Sequence, residues 1–274
     1  MIVSTFFFAS LAVIVKYIRN IPIYEILFFQ SLPSIIFLTI ILKSAKIKVF
    51  ANNKKYLLLR GVLGFFSLAA YYYTLYRIDL ADAVSILQLS PFFVLILSFI
   101  FLKERIRFYQ IPVLFLSFFG ALLVIKPGIR IDSIPVIVGV LAAFFTAIGH
   151  VMIRNLSKTD HPIIIVYYLT CLLGIISFII LIYQNNFLMP NKNQLLLLIL
   201  LGNIYLIGQL LLTKAFLILP ASLVSLYKYN QIIFGVFFGV VFFREIPDFY
   251  SIVGASLIIF SGFLNYRVSF IKKQ

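Results

Sequence analysis

Ala81-Asp82-Ala83-Val84-Ser85-Ile86-Leu87-Gln88 and Ala221-Ser222-Leu223-Val224-Ser225-Leu226-Tyr227-Lys228 read as two versions of one segment, 140 residues apart in a chain of 274. Upstream, Thr74-Leu75-Tyr76 matches Lys214-Ala215-Phe216 at the same offset. Downstream, Phe101-Leu102-Lys103-Glu104 matches Phe242-Phe243-Arg244-Glu245 after a slip of one residue. In both copies a basic residue followed by glutamate closes a long apolar run. The chain therefore reads as a duplication of a unit half its length.

The copies are embedded in apolar runs long enough to cross a bilayer, which takes roughly 20 helical residues for about 30 Å of hydrocarbon. The runs fall at 1–17, 24–43, 55–76, 81–102, 108–126, 133–153, 162–183, 194–217, 221–243 and 248–268. They are continuous and do not alternate, so they predict helices and exclude a β-barrel. The first is the shortest: residues 1–15 reach only about 22 Å. A start upstream of Met1, or snorkelling of Lys16 and Arg19, makes up the difference. That run ends in Lys16-Tyr17-Ile18-Arg19 and not in a small-residue cleavage site, so an uncleaved span is expected. The expected fold is an all-α integral membrane protein of ten transmembrane helices, divided into units 1–130 and 131–274. Five is odd, so two such units in series run in opposite directions. Inverted repeats of this kind place substrate near the midplane where the repeats meet.

Composition agrees. Hydrophobic residues make up 63%, charged residues 11%, and mean hydropathy is +1.13, against about 25% charged residues in soluble domains. The net charge of +15 does not imply nucleic-acid binding, because the basic residues sit between apolar runs, where topology explains them. With the N-terminus in the cytoplasm, the inner loops and C-terminus carry 14 Lys and Arg, Arg60 counted among them, and the outer loops carry 7. Both termini are expected to be cytoplasmic, in a bacterial inner membrane. The one cysteine, Cys171, lies in an apolar run and permits no disulfide within the chain.

Polar residues inside apolar spans are costly and face a cavity or the bundle interior. Lys228 is the sharpest case, seven residues into the ninth run within Tyr227-Lys228-Tyr229-Asn230-Gln231. Its ammonium is expected to hold a carboxylate or phosphate of the substrate, unless it snorkels to the helix end. Tyr229 adjoins it, and Gln88 is its counterpart in the first copy. Lys214 lies nearer a helix end, where snorkelling competes with a substrate contact. In the run Tyr71-Tyr72-Tyr73-Thr74, Tyr72 and Tyr73 are candidates for a cavity wall or an interfacial belt. His150 shares a helix face with Thr146 and Arg154, as a proton-exchanging or a structural histidine. Glu25 opens the second run, as a proton site or as a favourable charge at a helix N-terminus. Gln30 follows as a further cavity candidate.

Other chemistry is missing from the sequence. There is no GxxxxGK[ST] loop, HExxH, CxxC or G-x-S-x-G. No cofactor, metal site or enzymatic activity is expected. The expected partners are a small-molecule substrate and the bilayer, with a homodimer open.

Several stretches together resemble the drug/metabolite transporter superfamily and its ten-helix EamA-type permeases: Leu59-Arg60-Gly61; Leu80-Ala81-Asp82-Ala83 through Ser90-Pro91-Phe92 to Leu102-Lys103-Glu104-Arg105; Lys214-Ala215-Phe216; and Arg244-Glu245-Ile246-Pro247-Asp248. The stretch from Lys214 to Asp248, with Lys228-Tyr229, looks most like S-adenosylmethionine uptake carriers. Two positions depart from the family: Gln30 stands where many members have arginine, and Asp79 where proline is common. The resemblance implies a secondary transporter working by alternating access. S-adenosylmethionine or an amino-acid-like solute is the first expectation and an amino-acid or drug exporter the alternative. A non-transporting membrane enzyme or scaffold comes last.

Overall fold

The computed structural model describes residues 1–47, 49, 52–104, 108, 110–125, 133–184 and 187–245, together with 249, 250, 252–254, 256, 257, 259–261 and 264. Lys48, Arg105, Arg107, Lys126, Arg130, Ile246-Pro247-Asp248, the C-terminal basic residues and the 130/131 boundary lie outside them. The described residues are helical, with no strand among them.

The helices are α1 (Ile2–Tyr17), α2 (Ile23–Ser44), α3 (Lys54–Arg77), α4 (Leu80–Leu87), α5 (Ser90–Leu102), α6 (Gln110–Ile125), α7 (Ser133–Leu156), α8 (Pro162–Gln184), α9 (Lys192–Ile218), α10 (Ala221–Leu226) and α11 (Asn230–Phe238). A 3₁₀ turn, Tyr227–Tyr229, joins α10 to α11, and a π-helical turn, Gly239–Phe243, ends that span. The described residues from 249 to 264 are helical as well. Among the described residues, seven segments are long and apolar enough to cross a membrane, including Leu80–Leu102 and Ala221–Phe243, each of which contains a break. The helix α1, with 16 residues, is shorter.

Proline sets many of these boundaries. It lacks the N–H that a helix interior needs, and it suits the first turn, where that N–H has no partner anyway. Pro91 stands in the first turn of α5, directly after the break at Gln88 and Leu89. Pro112 and Pro135 fall in the first turns of α6 and α7, and Pro162 begins α8.

The two halves interlock. Helix α1 packs on α9 and α3 on α7; α2 packs on α8; α5 packs on α7 and α1 on α11; α4 packs on α11 and α10 on α5. When α1, α2, α3, α4 and α5 are matched in order with α7, α8, α9, α10 and α11, every contact in this set recurs with the halves exchanged. Small residues allow the close approaches. A Cβ on Gly61 or Gly64 would fall 2.3 and 2.4 Å from Leu172 and Leu169 of α8. One on Gly202 of α9 would stand 2.6 Å from the Gln30 carbonyl oxygen of α2 and 2.9 Å from Pro33.

The broken spans are pinned end to end. The carboxylate of Glu104, just past α5, accepts the Ala221 and Ser222 amides at the start of α10, at 3.1 and 3.2 Å. Glu245, just past the π-helical turn, accepts the Leu80 amide at the start of α4 at 3.1 Å. Each glutamate also meets a cation from the end of another helix. Arg154 Nε of α7 is 3.4 Å from Glu104. Lys16 Nζ of α1 donates to Glu245 and lies 3.9 Å from Asp79, the residue before α4. Charged hydrogen bonds to helix-initial amides are among the stronger polar contacts and also complement the helix dipole. Lys103 and Arg244, the residues before the glutamates, both adopt left-handed backbone at φ 52° and 56°, which turns the chain out of the helix and toward these contacts.

Two stability predictions follow from this packing. Gly202→Val forces a side chain against backbone that cannot yield and should cost about 1–3 kcal/mol. Gly149→Ala, where a Cβ meets nothing within 4 Å, should leave stability unchanged or raised; thermal unfolding in detergent separates the two. Glu245→Gln, which removes the charge facing a mostly buried Lys16, should lower stability by about 1–3 kcal/mol, more than Asp79→Asn at the longer contact.

Candidate functional site

A cavity of about 100 Å³ lies where the two breaks meet the walls of α1, α3, α7 and α9. Helical periodicity decides which side chains reach it. On α3, Arg60, Gly64, Ser67 and Tyr71 recur at three- and four-residue intervals and share one face. On α7 the same spacing presents Thr146, Gly149 and His150. On α9 it presents Tyr205, Gln209 and Leu212. Lys228 enters from the turn between α10 and α11 and Gln231 from the first turn of α11, while Phe8, Leu11 and Phe145 supply apolar wall.

The electrostatics are one-sided. Arg60 and Lys228 are buried, with 4% and 3% of their surface exposed. Lys228 Nζ donates to the hydroxyl of Ser90 at 3.0 Å, a neutral partner at the opposite break. The Arg60 Nε and Nη1 groups have no partner among the described residues, nor do His150 Nδ1 and the Tyr71 hydroxyl. His150 stacks on Phe216 with ring centroids 5.0 Å apart and lies within electrostatic reach of both Lys228 and Arg60. No Asp or Glu lines the cavity among the described residues. Such a site offers cationic donors and aromatic surface, and no arrangement of nucleophile and base.

The expected site residues divide into three groups. Lys228 and His150 line the cavity. Gln88 is fully buried one step behind it, where its Nε2 donates to Gln231 Oε1 at 3.0 Å and so ties the first break to the second. Tyr229 is buried beside Lys228 without lining the cavity. The remaining candidates stand apart. The Tyr72 hydroxyl donates to Gln30 Oε1, and both residues are fully buried in a pair of their own between α3 and α2. Tyr73 lies under the Arg77 guanidinium, 5.6 Å from its centroid, and Lys214 is exposed. Glu25 is buried in the first turn of α2, and its carboxylate accepts the Leu188 amide at 3.2 Å.

Arg60 is the residue that sequence reasoning misplaced. It is not a loop charge: it sits in the second turn of α3, inside the bundle. The signal available was its register, since Arg60, Gly64, Ser67 and Tyr71 form the polar or small face of an otherwise apolar helix. Arg154 is not a free loop charge either. Its Nη1 donates to the Phe216 and Leu217 carbonyls that end α9, at 3.0 and 2.9 Å.

Comparison with known proteins gives concordant matches. The model of the EamA-like transporter family matches residues 1–126 and again residues 133–267. The pseudopaline exporter CntI of Pseudomonas aeruginosa is 33% identical over 261 residues, which cover 94% of this chain and 91% of the exporter. Solute carrier family 35 member G1 of Mus musculus is 28% identical over 278 residues, covering 95% of this chain and 75% of the carrier. An uncharacterized transporter of Helicobacter pylori is 26% identical over 249 residues, covering 88% and 84%. One solved crystal structure superposes with a TM-score of 0.77 over 99% of both chains at 13% identity, a likeness of fold alone. The expected nearness to S-adenosylmethionine carriers has no counterpart in these names. The chain belongs to the EamA-like transporter family and is a multi-pass membrane transporter, not an enzyme.

Proposed function

We propose that this transporter exports a small organic anion by alternating access, binding it in the cavity where the two broken spans meet. One observation carries the reading: two buried cations, Arg60 and Lys228, share a cavity that no carboxylate among the described residues lines, and Arg60 keeps donors without partners among those residues. Buried charges are normally paired, because each loses several kcal/mol of hydration when left bare. A carboxylate or phosphate on the solute supplies the missing partner. Lys228, Arg60 and His150 are then the direct contacts, with Gln88, Gln231 and Tyr229 positioning the breaks. The export direction is carried over from the pseudopaline exporter. An amino-acid-like carboxylate suits the site better than S-adenosylmethionine, whose sulfonium would stand beside two cations. Proton coupling through His150 or Glu25 has less support: His150 faces two cations, and Glu25 lies away from the cavity.

The conformational cycle we infer uses two inverted five-helix units and ten spans, with both termini in the cytoplasm of a bacterial inner membrane. Three features support this reading: the double family match, the exchange of halves among the helix contacts, and the reciprocal Glu104 and Glu245 contacts. The two glutamate contacts sit at opposite ends of the broken spans, so opening one while holding the other exposes the cavity to one side at a time.

Proteoliposomes loaded in turn with labelled organic acids, amino acids and S-adenosylmethionine test the reading. Saturable exchange is expected for an anionic member of the panel. It should fall at least about tenfold in Lys228→Met and in Arg60→Met, in keeping with the loss of a buried charge contact, and persist in Lys214→Met. Flux that does not saturate, or exchange untouched by either cation variant, would sink it.

A further inference from the structure

We propose, resting on the anion reading above, that the solute carries two negative charges, one met by Arg60 and the other by Lys228. The ground is the charge balance of one buried site. Arg60 comes from α3 and Lys228 from the turn between α10 and α11, so the two cations stand on different halves of the molecule. Both line the same cavity, as does His150. Of the described carboxylates none lines that space. Glu104 is taken by Arg154 and the start of α10, and Glu245 by Lys16 and the start of α4. Asp160 accepts the Asn52 amide at 2.8 Å in the loops beyond α2 and α7, and Glu25 accepts the Leu188 amide.

A single negative charge leaves one of the two cations uncompensated in a medium of low dielectric, and the cations repel each other whenever the site is empty. Two negative charges answer both at once. Planar guanidinium suits a carboxylate or phosphate face, and ammonium a single oxygen. Phe8, Leu11 and Phe145 leave an apolar wall for the carbon skeleton between them. The chemical class is a doubly negative metabolite, a dicarboxylate or a phosphate monoester. Because the cations belong to different halves, such a solute also bridges the two units that must move against each other, which a solute held by one cation does not.

The test uses the full chain in detergent, at constant ionic strength, with thermal unfolding as the readout. The probes are succinate and glutarate, glycerol 3-phosphate, butyrate and the diamine cadaverine. Expected is a rise in Tm of about 3 °C with the dicarboxylates or with glycerol 3-phosphate and none with butyrate; the larger shift of the two identifies carboxylate or phosphate. Lys228→Met and Arg60→Lys should each lose the shift, and ligand-free Lys228→Met should melt at or above the wild-type temperature, since a buried charge with only a neutral partner has been removed. Butyrate acting as strongly as succinate overturns the double charge and leaves the anion reading standing. Cadaverine acting while the anions do not overturns both. No shift with any of the three doubly negative probes, or a ligand-free Lys228→Met that melts well below wild type, overturns the proposal by making the lysine a structural group.

Discussion

A helix that breaks inside hydrocarbon must find partners for the peptide groups it frees, because no water is there to take them. Two spans of this transporter break, at Gln88-Leu89 and at Tyr227–Tyr229. Both breaks are kept tight. The Gln88 and Leu89 amides still reach the Ser85 and Ile86 carbonyls at 3.0 Å, and the second break is a 3₁₀ turn of three residues. The amides at the helix starts Leu80 and Ala221 are answered from the opposite half by Glu245 and Glu104, and the side chains at the breaks pair across it, Gln88 with Gln231 and Lys228 with Ser90. Neither broken span is complete without the other.

That mutual dependence links architecture to transport. The spans lie side by side with each start at the other's end, so the two carboxylate contacts occupy opposite ends of the pair. Each carboxylate is shared with a cation from α1 or α7, the helices that also wall the cavity. A movement of α1 or α7 therefore changes one end of the pair and the cavity together. Cation, glutamate and helix start make a unit of three groups. Releasing one unit costs a few charged hydrogen bonds, which is within reach of the binding energy of a small charged solute.

Much of this was legible in the sequence because it rests on periodicity and on the cost of polar groups in hydrocarbon. The duplicated segment contains both breaks, although the runs around it read as continuous helices, and the paired Lys103-Glu104 and Arg244-Glu245 marked the span ends. Lys228 stood out because nothing else so polar lies so deep in an apolar run. Arg60 was hidden for the converse reason. It follows Lys54 and Lys55 closely enough to read as one more loop charge, and its depth depends on where α3 begins, which is the least certain feature of any helix read from sequence. Lys16 likewise read as a charge reaching for the interface, whereas the glutamate that holds it is 229 residues away. Tyr72, from the tyrosine run, and Gln30 were read as separate cavity candidates, and each turns out to be the other's partner. Which polar residues pair across helices is a property of packing, and no local pattern reveals it.

The contrast between paired and unpaired groups supports the proposed site more than any one residue does. Polar side chains that hold this bundle together pair with one another: Tyr72 with Gln30, Ser67 with Thr146, Gln88 with Gln231. Elsewhere in the interior, atoms without partners occur singly, and several belong to groups whose other end is engaged, as in Glu25. In the cavity it is the formal charge that has one sign. Arg60 donors and a His150 nitrogen are left over beside Lys228, together with Gln209 Oε1 and the Tyr71 and Tyr205 hydroxyls, and no carboxylate among the described residues faces them. A bundle selected for stability alone would have replaced these cations with apolar side chains, which pack at no desolvation cost. On the proposed reading they form what a carrier needs, namely a site that is complete only when the solute is in it.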